Sequence, residues 1–245
     1  MRLIRVHVDE ALAQGARVAI QGAAAAHVRR VLRLEAGDAL TLFNGDGTDY
    51  PSRIDALGRD AVEVEVLGTT PARAESPLAL TLVQGIARAE RMDLVVQKAT
   101  ELGVAVIQPV ATARSVVKLD AESRERKSAH WRGIAIAACE QCGRAKLPRL
   151  AEPVTFPAWL AEPPAAGTRR VLLAVGAEPS LVDAAKGAHA IELLVGPEGG
   201  LEDAERAAAE RAGYRACRLG PRILRSETAA LAALAVLQSV AGDLG

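Results

Sequence analysis

The sequence predicts an α/β fold in which a small β-rich domain precedes a larger domain built on a parallel sheet. Up to about residue 70, short apolar stretches alternate with turn residues such as Asn44-Gly45-Asp46-Gly47. From residue 78 onward, apolar strands alternate with segments of helical periodicity, an order typical of parallel α/β sheets. Because 50% of the 245 residues are hydrophobic but only 2% are aromatic, we expect a packed core of Ala, Leu, Val and Ile.

In the first domain, three stretches predict strands: Arg17–Ile20, Ala39–Phe43 and Ala61–Val66. The last of these alternates valine with glutamate, which is the period-two pattern of a strand with one buried face. A short helix is predicted for Ala23–Leu34, and the close spacing of these elements suits a small barrel. Residues 69–77 contain two prolines and no apolar periodicity, so we place the domains at 1–72 and 73–245.

The second domain is predicted to alternate strands and helices. Gly103 and Gly143 each follow a predicted helix at the position favoured for a C-cap glycine. The predicted strands are Leu78–Val83, Val104–Val110, Arg170–Val175, Ala190–Val195 and Ala216–Leu219. The predicted helices are Ala89–Leu102, Glu122–Cys142, Ser180–Ala185, Glu202–Ala212 and Ser226–Val240.

Charge is unevenly distributed along the chain, although Lys+Arg and Asp+Glu number 30 each. Residues 1–72 carry eight basic and ten acidic side chains. Residues 113–150 carry nine basic and four acidic side chains, a formal charge of +5. Clustered Lys and Arg are what a polyphosphate partner requires, while a solvated helical face is the alternative interpretation.

Several other classes of protein are disfavoured. No apolar run reaches the ~18 residues of a membrane span, and the N-terminus lacks the apolar region of a signal peptide. We therefore expect a cytoplasmic protein without a membrane segment.

Cys139 and Cys142 are spaced like zinc or redox ligands, but the further ligands of a zinc site are distant in sequence. We expect these cysteines to be small buried residues, and we expect no metal.

Two loops follow predicted buried strands at their carboxyl ends, where open α/β sheets bind ligands. In Gly196–Gly200, three glycines allow the backbone to approach a ligand closely. In Leu219–Ala229, a Gly-Pro turn leads to Arg225 and Glu227 at the start of a helix. An arginine there opposes the helix dipole, which favours a functional role. The structural alternatives are a tight turn and a surface ion pair between Arg225 and Glu227.

Five segments, in the same order, resemble the bacterial 16S rRNA (uracil-N3)-methyltransferase family (RsmE) of the SPOUT superfamily. They are His27–Arg33, Gln97–Gly103, Ala138–Arg144, Leu194–Gly200 and Leu219–Ala229, and the resemblance covers nearly the whole chain. It implies an N-terminal PUA-like β-barrel for RNA, a C-terminal SPOUT domain with a trefoil knot, and a homodimer. The implied reaction transfers a methyl group from S-adenosylmethionine to N3 of one 16S rRNA uridine, near the decoding centre of the small ribosomal subunit.

The resemblance also implies which residues act. The two loops would hold the cofactor, and the expected cofactor-binding residues are Leu173, Val195, Gly196, Pro197, Glu198, Gly199, Gly200, Leu219, Gly220, Ile223, Leu224, Arg225 and Thr228. When uracil N3 loses its proton, charge develops on O2 and O4, and the guanidinium of Arg225 is the first candidate to stabilise it. Glu140, Glu227 or water could accept the proton. The expected RNA contacts are Arg5, Arg29, Arg30, Arg33, Arg114, Arg132, Gln141, Arg144 and Arg149.

Three other functions stay open at the level of sequence. One is a different SPOUT activity, such as methylation of a ribose 2′-O or of guanine N1. Another is a non-catalytic RNA-binding assembly factor that keeps the same fold. The third is a nucleotide-binding module using Gly196–Gly200, which is disfavoured because that loop has no basic phosphate partner and Glu198 would repel phosphate.

Overall fold

The computed structural model describes residues 4–72, 75–115 and 120–245. Arg73 at the predicted domain boundary and Lys118 in the basic segment lie outside the described residues. The chain divides into two compact units: the first extends to Glu75 and includes Cys139–Leu147, and the second comprises Ser76–Ala138 and Pro148–Gly245. Nothing in the sequence pattern predicted that Cys139–Leu147 would belong to the first unit. The domain limits 1–72 and 73–245 stay predictions.

The first unit contains a sheet with six strands in the described part of the chain. They are β1 (Arg5–His7), β2 (Arg17–Gln21), β3 (Ala39–Phe43), β4 (Thr48–Leu57), β5 (Ala61–Val66) and β6 (Thr70–Pro71). Their order is β1-β3-β4-β5-β2, with β6 paired to β4; only β1 and β3 are parallel. The alternation predicted for β5 is confirmed, since Val62, Val64 and Val66 are buried while Glu63 is exposed.

Two sequence-based expectations for this unit need correction. The helix predicted for Ala23–Leu34 is instead α1 (Gly22–Ala26) followed by a π-helical turn, His27–Val31. It ends early because Arg33 takes a left-handed conformation (φ 54°), and the Leu34 N–H donates to Val28 O (3.2 Å), a bond that closes helix C-termini. Strand β4 was missed because its proline and polar residues obscure the strand pattern.

The second unit is built on a sheet that has seven strands, counted over the described residues. They are β7 (Ala79–Gly85), β8 (Val106–Ala111), β9 (Arg149–Leu150), β10 (Val154–Thr155), β11 (Arg169–Leu173), β12 (Ala190–Val195) and β13 (Arg215–Cys217). Their order is β10-β8-β7-β12-β11-β13, with β9 also paired to β8, and every pair is parallel. The parallel α/β class is therefore confirmed. Strand pairing does not test the trefoil knot, which stays a prediction.

Helices pack on both faces of this sheet. The remaining helices in the described residues are α2 (Ala89–Glu101), α3 (Ala121–Cys142), α4 (Phe156–Ala161), α5 (Leu181–Ala185), α6 (Asp203–Arg211) and α7 (Ser226–Ala241). Leu80 and Leu82 pack in one core cluster with α2 and α7, whereas Val83 and Leu194 pack in a second cluster with Tyr214. Burial on both faces explains the continuous apolar runs that predicted these strands. None of the described helices combines the length and apolarity needed to cross a membrane.

A buried polar cluster joins β11 and β12 within the second core cluster. Arg170 Nε lies 3.0 Å from Glu192 Oε1, and both side chains are almost fully buried. The Tyr214 hydroxyl donates to the Glu192 carboxylate and accepts a hydrogen bond from Trp159 Nε1 (2.9 Å). Burial foremost, and then the charge of Glu192, raises the pKa of Tyr214, so its hydroxyl stays a donor. The cluster thus links β12, whose carboxyl end leads to the first predicted cofactor loop, with β11, which ends at Leu173.

We expect Glu192→Gln to lower the free energy of unfolding of the second unit by about 3 kcal/mol, because buried Arg170 would lose its charge partner. Urea unfolding followed by circular dichroism measures this loss. As a control, Asp183→Asn removes the partner of exposed Lys186 and should leave the unfolding midpoint unchanged. Equal midpoints for the two variants would contradict the role given to burial.

Candidate functional site

A cavity of about 530 Å³ opens at the carboxyl edge of the parallel sheet in the second unit. Its volume and its place are those of small-molecule sites in α/β proteins. All the predicted cofactor residues except Thr228 line it, namely Leu173, Val195, Gly196, Pro197, Glu198, Gly199, Gly200, Leu219, Gly220, Ile223, Leu224 and Arg225. The structure thus brings the two glycine-bearing loops to one cavity, while the binding roles of their residues stay predictions.

The first loop, Gly196–Gly200, is packed too closely for side chains at several positions. A Cβ on Gly85, at the end of β7, would lie 2.5 Å from Pro197 Cδ and 2.6 Å from Pro197 N. A Cβ on Gly199 would lie 3.1 Å from Arg114 Cβ. Gly200 has a φ of +70° and its N–H donates to Pro197 O (2.8 Å), which closes the turn. Glycine is therefore required by packing as well as by conformation.

A buried hydrogen-bonded group connects the end of β7 with both loops. Gln84 Nε2 donates to Ser226 Oγ (3.1 Å), and Ser226 Oγ donates to Gly196 O (2.5 Å). Gln84 is fully buried, and Ser226 is the first residue of α7. These bonds hold the start of α7, and with it the end of the second loop, against the first loop.

Arg91 on α2 joins the two loops electrostatically. Its NH1 lies 3.3 Å from Glu198 Oε1 and its Nε lies 3.8 Å from Glu227 Oε1. The Arg88 N–H also donates to Glu198 Oε1 (3.0 Å). Partial burial opposes ionisation of Glu198, but the hydrogen bond from Arg88 and the charge of Arg91 outweigh it, so the pKa of Glu198 is lowered. Glu198 is therefore an anion at neutral pH and a poor proton acceptor.

The sequence reasoning missed much of the cavity wall. Arg222 and Ser226 lie inside a motif that it singled out, without receiving a role there. Arg91 and Arg206 lie on helices where nothing distinguishes them from ordinary polar-face residues. The lining residues that were not individually named as cofactor contacts are Arg91, Arg114, Leu172, Ala174, Val175, Leu201, Arg206, Arg222, Ser226 and Ala229.

The three predicted catalytic residues lie in different places. Arg225 lines the cavity and is exposed, and its guanidinium forms no hydrogen bond or ion pair with the described residues. The alternative ion pair between Arg225 and Glu227 is not formed; buried Glu227 faces Arg91 and is not among the lining residues. Glu140 belongs to the first unit, where its Oε1 accepts from the His7 N–H (3.0 Å). Burial foremost raises the pKa of Glu140.

Two of the predicted RNA contacts are corrected by burial. Arg5 and Arg144 are 7% and 3% exposed. Arg5 NH1 lies 2.8 Å from the Asp49 carboxylate, and Arg144 NH2 donates to Glu75 Oε2 (3.0 Å). Neither guanidinium is available to a phosphate, so we withdraw both from the RNA contacts. The exposed candidates stay predictions: Arg29, Arg30, Arg33, Arg114, Arg132, Gln141 and Arg149.

The Cys139-x-x-Cys142 pair forms no disulfide, since both residues are free thiols. Cys139 is fully buried, and burial foremost raises the pKa of its thiol to about 12. A thiol with this pKa is protonated and unreactive at neutral pH. Among the described residues, no group of three or more His, Cys, Asp or Glu is placed to hold a metal ion.

Comparison with known proteins matches both parts of the chain. A family model described as an RNA methyltransferase domain matches residues 74–238, and another described as an RNA methyltransferase PUA domain matches residues 20–67. The chain belongs to the RNA methyltransferase family. The ribosomal RNA small subunit methyltransferase E of Mycobacterium bovis is 32% identical to it over 93% of this chain and 88% of the relative.

Two solved structures of related methyltransferases contain a methyl donor. A methyltransferase from Legionella pneumophila in complex with S-adenosylmethionine is 38% identical, with a TM-score of 0.94 over 100% of both chains. Ribosomal RNA small subunit methyltransferase E from Neisseria gonorrhoeae, bound to S-adenosylmethionine, is 35% identical, with a TM-score of 0.92 over 100% of both chains. The family resemblance stated from the sequence motifs is confirmed, and S-adenosylmethionine is the cofactor of this family.

The cavity of this RNA methyltransferase chain fits such a donor. Val195, Leu219 and Leu224 are apolar lining residues, as the walls around an adenine ring would be, and glycines leave backbone groups accessible beside them. Glu198 supplies one negative charge to a lining that otherwise holds arginines and uncharged residues. That carboxylate attracts the sulfonium and ammonium groups of such a donor.

We expect Gly85→Ala to weaken S-adenosylmethionine binding by about tenfold or more, because the new Cβ would push Pro197 and the first loop outward. Calorimetric titration measures the Kd, and circular dichroism checks that the variant is folded. The matched control is Gly133→Ala on α3, where a Cβ would meet no atom within 4 Å. Unchanged donor affinity in folded Gly85→Ala would contradict the importance of this contact.

Proposed function

We propose that this chain methylates N3 of a uridine in the 16S rRNA of the small ribosomal subunit, with S-adenosylmethionine as donor. The observation that carries the proposal is the single cavity that both glycine-bearing loops line, with the unpaired Arg225 on its wall. The small-subunit rRNA is proposed from the names of full-length relatives such as that of Mycobacterium bovis. The uracil N3 atom and the decoding-centre location rest on the motif resemblance.

The residues of the chain have distinct tasks in this proposal. When bound, S-adenosylmethionine supplies an electrophilic methyl group on its sulfonium. Val195, Leu219 and Leu224 hold and orient the donor, so that methyl and nucleophile meet in line. Arg225 then stabilises the negative charge that develops on a uracil carbonyl oxygen as N3 loses its proton. The target base must be unpaired or flipped, because N3 lies on its Watson–Crick edge.

In this proposal the N3 proton leaves to solvent at the cavity mouth. Neither Glu140 nor Glu227 is among the lining residues, and Glu227 is engaged with Arg91. The carboxylate that does line the cavity, Glu198, has a lowered pKa and is paired with Arg91. Water therefore needs no rearrangement to accept the proton, in contrast to each of the three carboxylates.

Other features remain part of the proposal. A homodimer and the trefoil knot follow from the family resemblance, while a cytoplasmic location is an expectation from the sequence. Sedimentation of the purified protein tests the homodimer. The rival activities within the superfamily methylate different acceptor atoms. The donor cavity does not reveal which acceptor atom receives the methyl group. A non-catalytic assembly factor would differ by failing to bind S-adenosylmethionine in a calorimetric titration.

The decisive test uses small ribosomal subunits from a strain that lacks the activity. Incubation with the protein and labelled S-adenosylmethionine should yield labelled 3-methyluridine after digestion of the rRNA to nucleosides. Mass spectrometry identifies the nucleoside. Label in a 2′-O-methyl nucleoside or in 1-methylguanosine would replace the proposed function with one of the rival activities.

Arg225→Ala should lower kcat about 10²- to 10³-fold, because the charge on the uracil carbonyl would lose its preorganised donor. The Kd for S-adenosylmethionine should change far less, and the protein should stay folded because Arg225 has no partner in the described residues. Arg225→Lys should recover part of the activity, and Arg211→Ala is the control, since Arg211 is an exposed arginine that does not line the cavity. Full turnover in Arg225→Ala would remove this residue from the mechanism.

A further inference from the structure

The cavity carries more positive charge than a methyl donor requires. Of the described residues, five arginines line it: Arg91, Arg114, Arg206, Arg222 and Arg225. The lining contains one carboxylate, that of Glu198. A donor with a sulfonium, an ammonium and a carboxylate is itself a net cation, so it does not neutralise this excess. The excess charge therefore points to an anion that belongs to another ligand.

Three carboxylates in and just after the first loop are already engaged. Glu198 is paired with Arg91 (3.3 Å). Glu202 Oε1 lies 3.9 Å from Arg114 Nε, and Arg114 NH1 also donates to Gly199 O (2.8 Å). Glu205 accepts hydrogen bonds from the backbone N–H groups of Ala113 (2.8 Å) and Glu202 (3.0 Å). Arg91 and Arg114 thus have structural partners that fix their positions.

Arg206 and Arg222 have no such partner. Within the described ranges, neither guanidinium forms a hydrogen bond or an ion pair, and both residues are exposed. Arg206 lies on α6, which follows the first loop, and Arg222 lies in the second loop. Arginines without a structural partner, on two segments that line one cavity, are suited to bidentate recognition of phosphate.

We propose that Arg206 and Arg222 bind backbone phosphates of the RNA nucleotides that flank the target base, while Arg225 acts on the base itself. This inference rests on the proposed function and assigns the phosphate contacts within the same site. The two residues position the RNA strand over the donor cavity, and they neither hold the donor nor take part in methyl transfer. Their contribution is electrostatic, so it weakens as salt is added.

The test uses Arg206→Gln, Arg222→Gln and the double variant of the full chain. Arg211→Gln is the matched control, since it removes the same charge from the same helix at a residue that does not line the cavity. Two ligands are titrated separately: S-adenosylmethionine by calorimetry, and a single-stranded oligouridine by fluorescence anisotropy at a series of salt concentrations. Turnover is measured on small ribosomal subunits that lack the methyl group.

For each cavity variant we expect the oligouridine Kd and the KM for subunits to rise about three- to tenfold. The slope of log K against log salt should fall by about 0.7 per substituted arginine. The Kd for S-adenosylmethionine and the kcat at saturating subunits should match those of Arg211→Gln. The slope of log K against log salt reports the number of phosphate contacts. A merely structural role of the two arginines would therefore leave the slope unchanged.

Two results would overturn the inference. If the donor Kd rises as much as the RNA Kd, the two arginines hold the carboxylate of the donor. If neither Kd nor the salt slope differs from Arg211→Gln, the arginines are ordinary surface residues. Failure of the proposed function is distinguishable, because the wild-type chain would then bind oligouridine with a salt-dependent Kd without forming 3-methyluridine.

Discussion

At the end of β7, the backbone of Gly85 lies so close to the Gly196-Pro197 peptide that a Cβ at position 85 would be 2.5 Å from Pro197 Cδ. The rest of the cavity depends on this contact. It sets the first loop against the central strands of the sheet, and Gln84 and Ser226 then join that loop to the start of α7. Because protein interiors are close-packed, a shift at one of these points moves the whole wall.

The arginines that line the cavity fall into two groups with different roles. Arg91 and Arg114 are bound to carboxylates and a carbonyl, and they hold loops in place. The guanidinium groups of Arg206, Arg222 and Arg225 have no partner among the described residues, so they are available to a ligand. The distinction matters because the donors of an arginine with a carboxylate partner are already directed at a group of the protein. The donors of an unpaired arginine are available to a substrate.

The first unit shows the converse case, in which residues expected to contact RNA serve the fold. Arg5 lies beside Asp49 and 4.9 Å from the centre of the Phe43 ring, and Arg144 is held by Glu75. Removal of a buried partner from such a pair is costly, which makes these arginines structural. The exposed arginines of this unit that stay predicted RNA contacts are Arg29, Arg30 and Arg33.

The sequence by itself determined the fold class, most of the second unit's strands and helices, and the two loops that line the cavity. Alternation in β5, continuous apolar runs in β7 and β12, and glycine-rich strand ends are local patterns, and local patterns report local structure. Only the tertiary structure decided which charged residues are free. Arg91 meets Glu198 and Glu227, and Arg144 meets Glu75, across long stretches of sequence. Ion pairing and burial depend on neighbours distant along the chain, so no local pattern could separate Arg144 from Arg222.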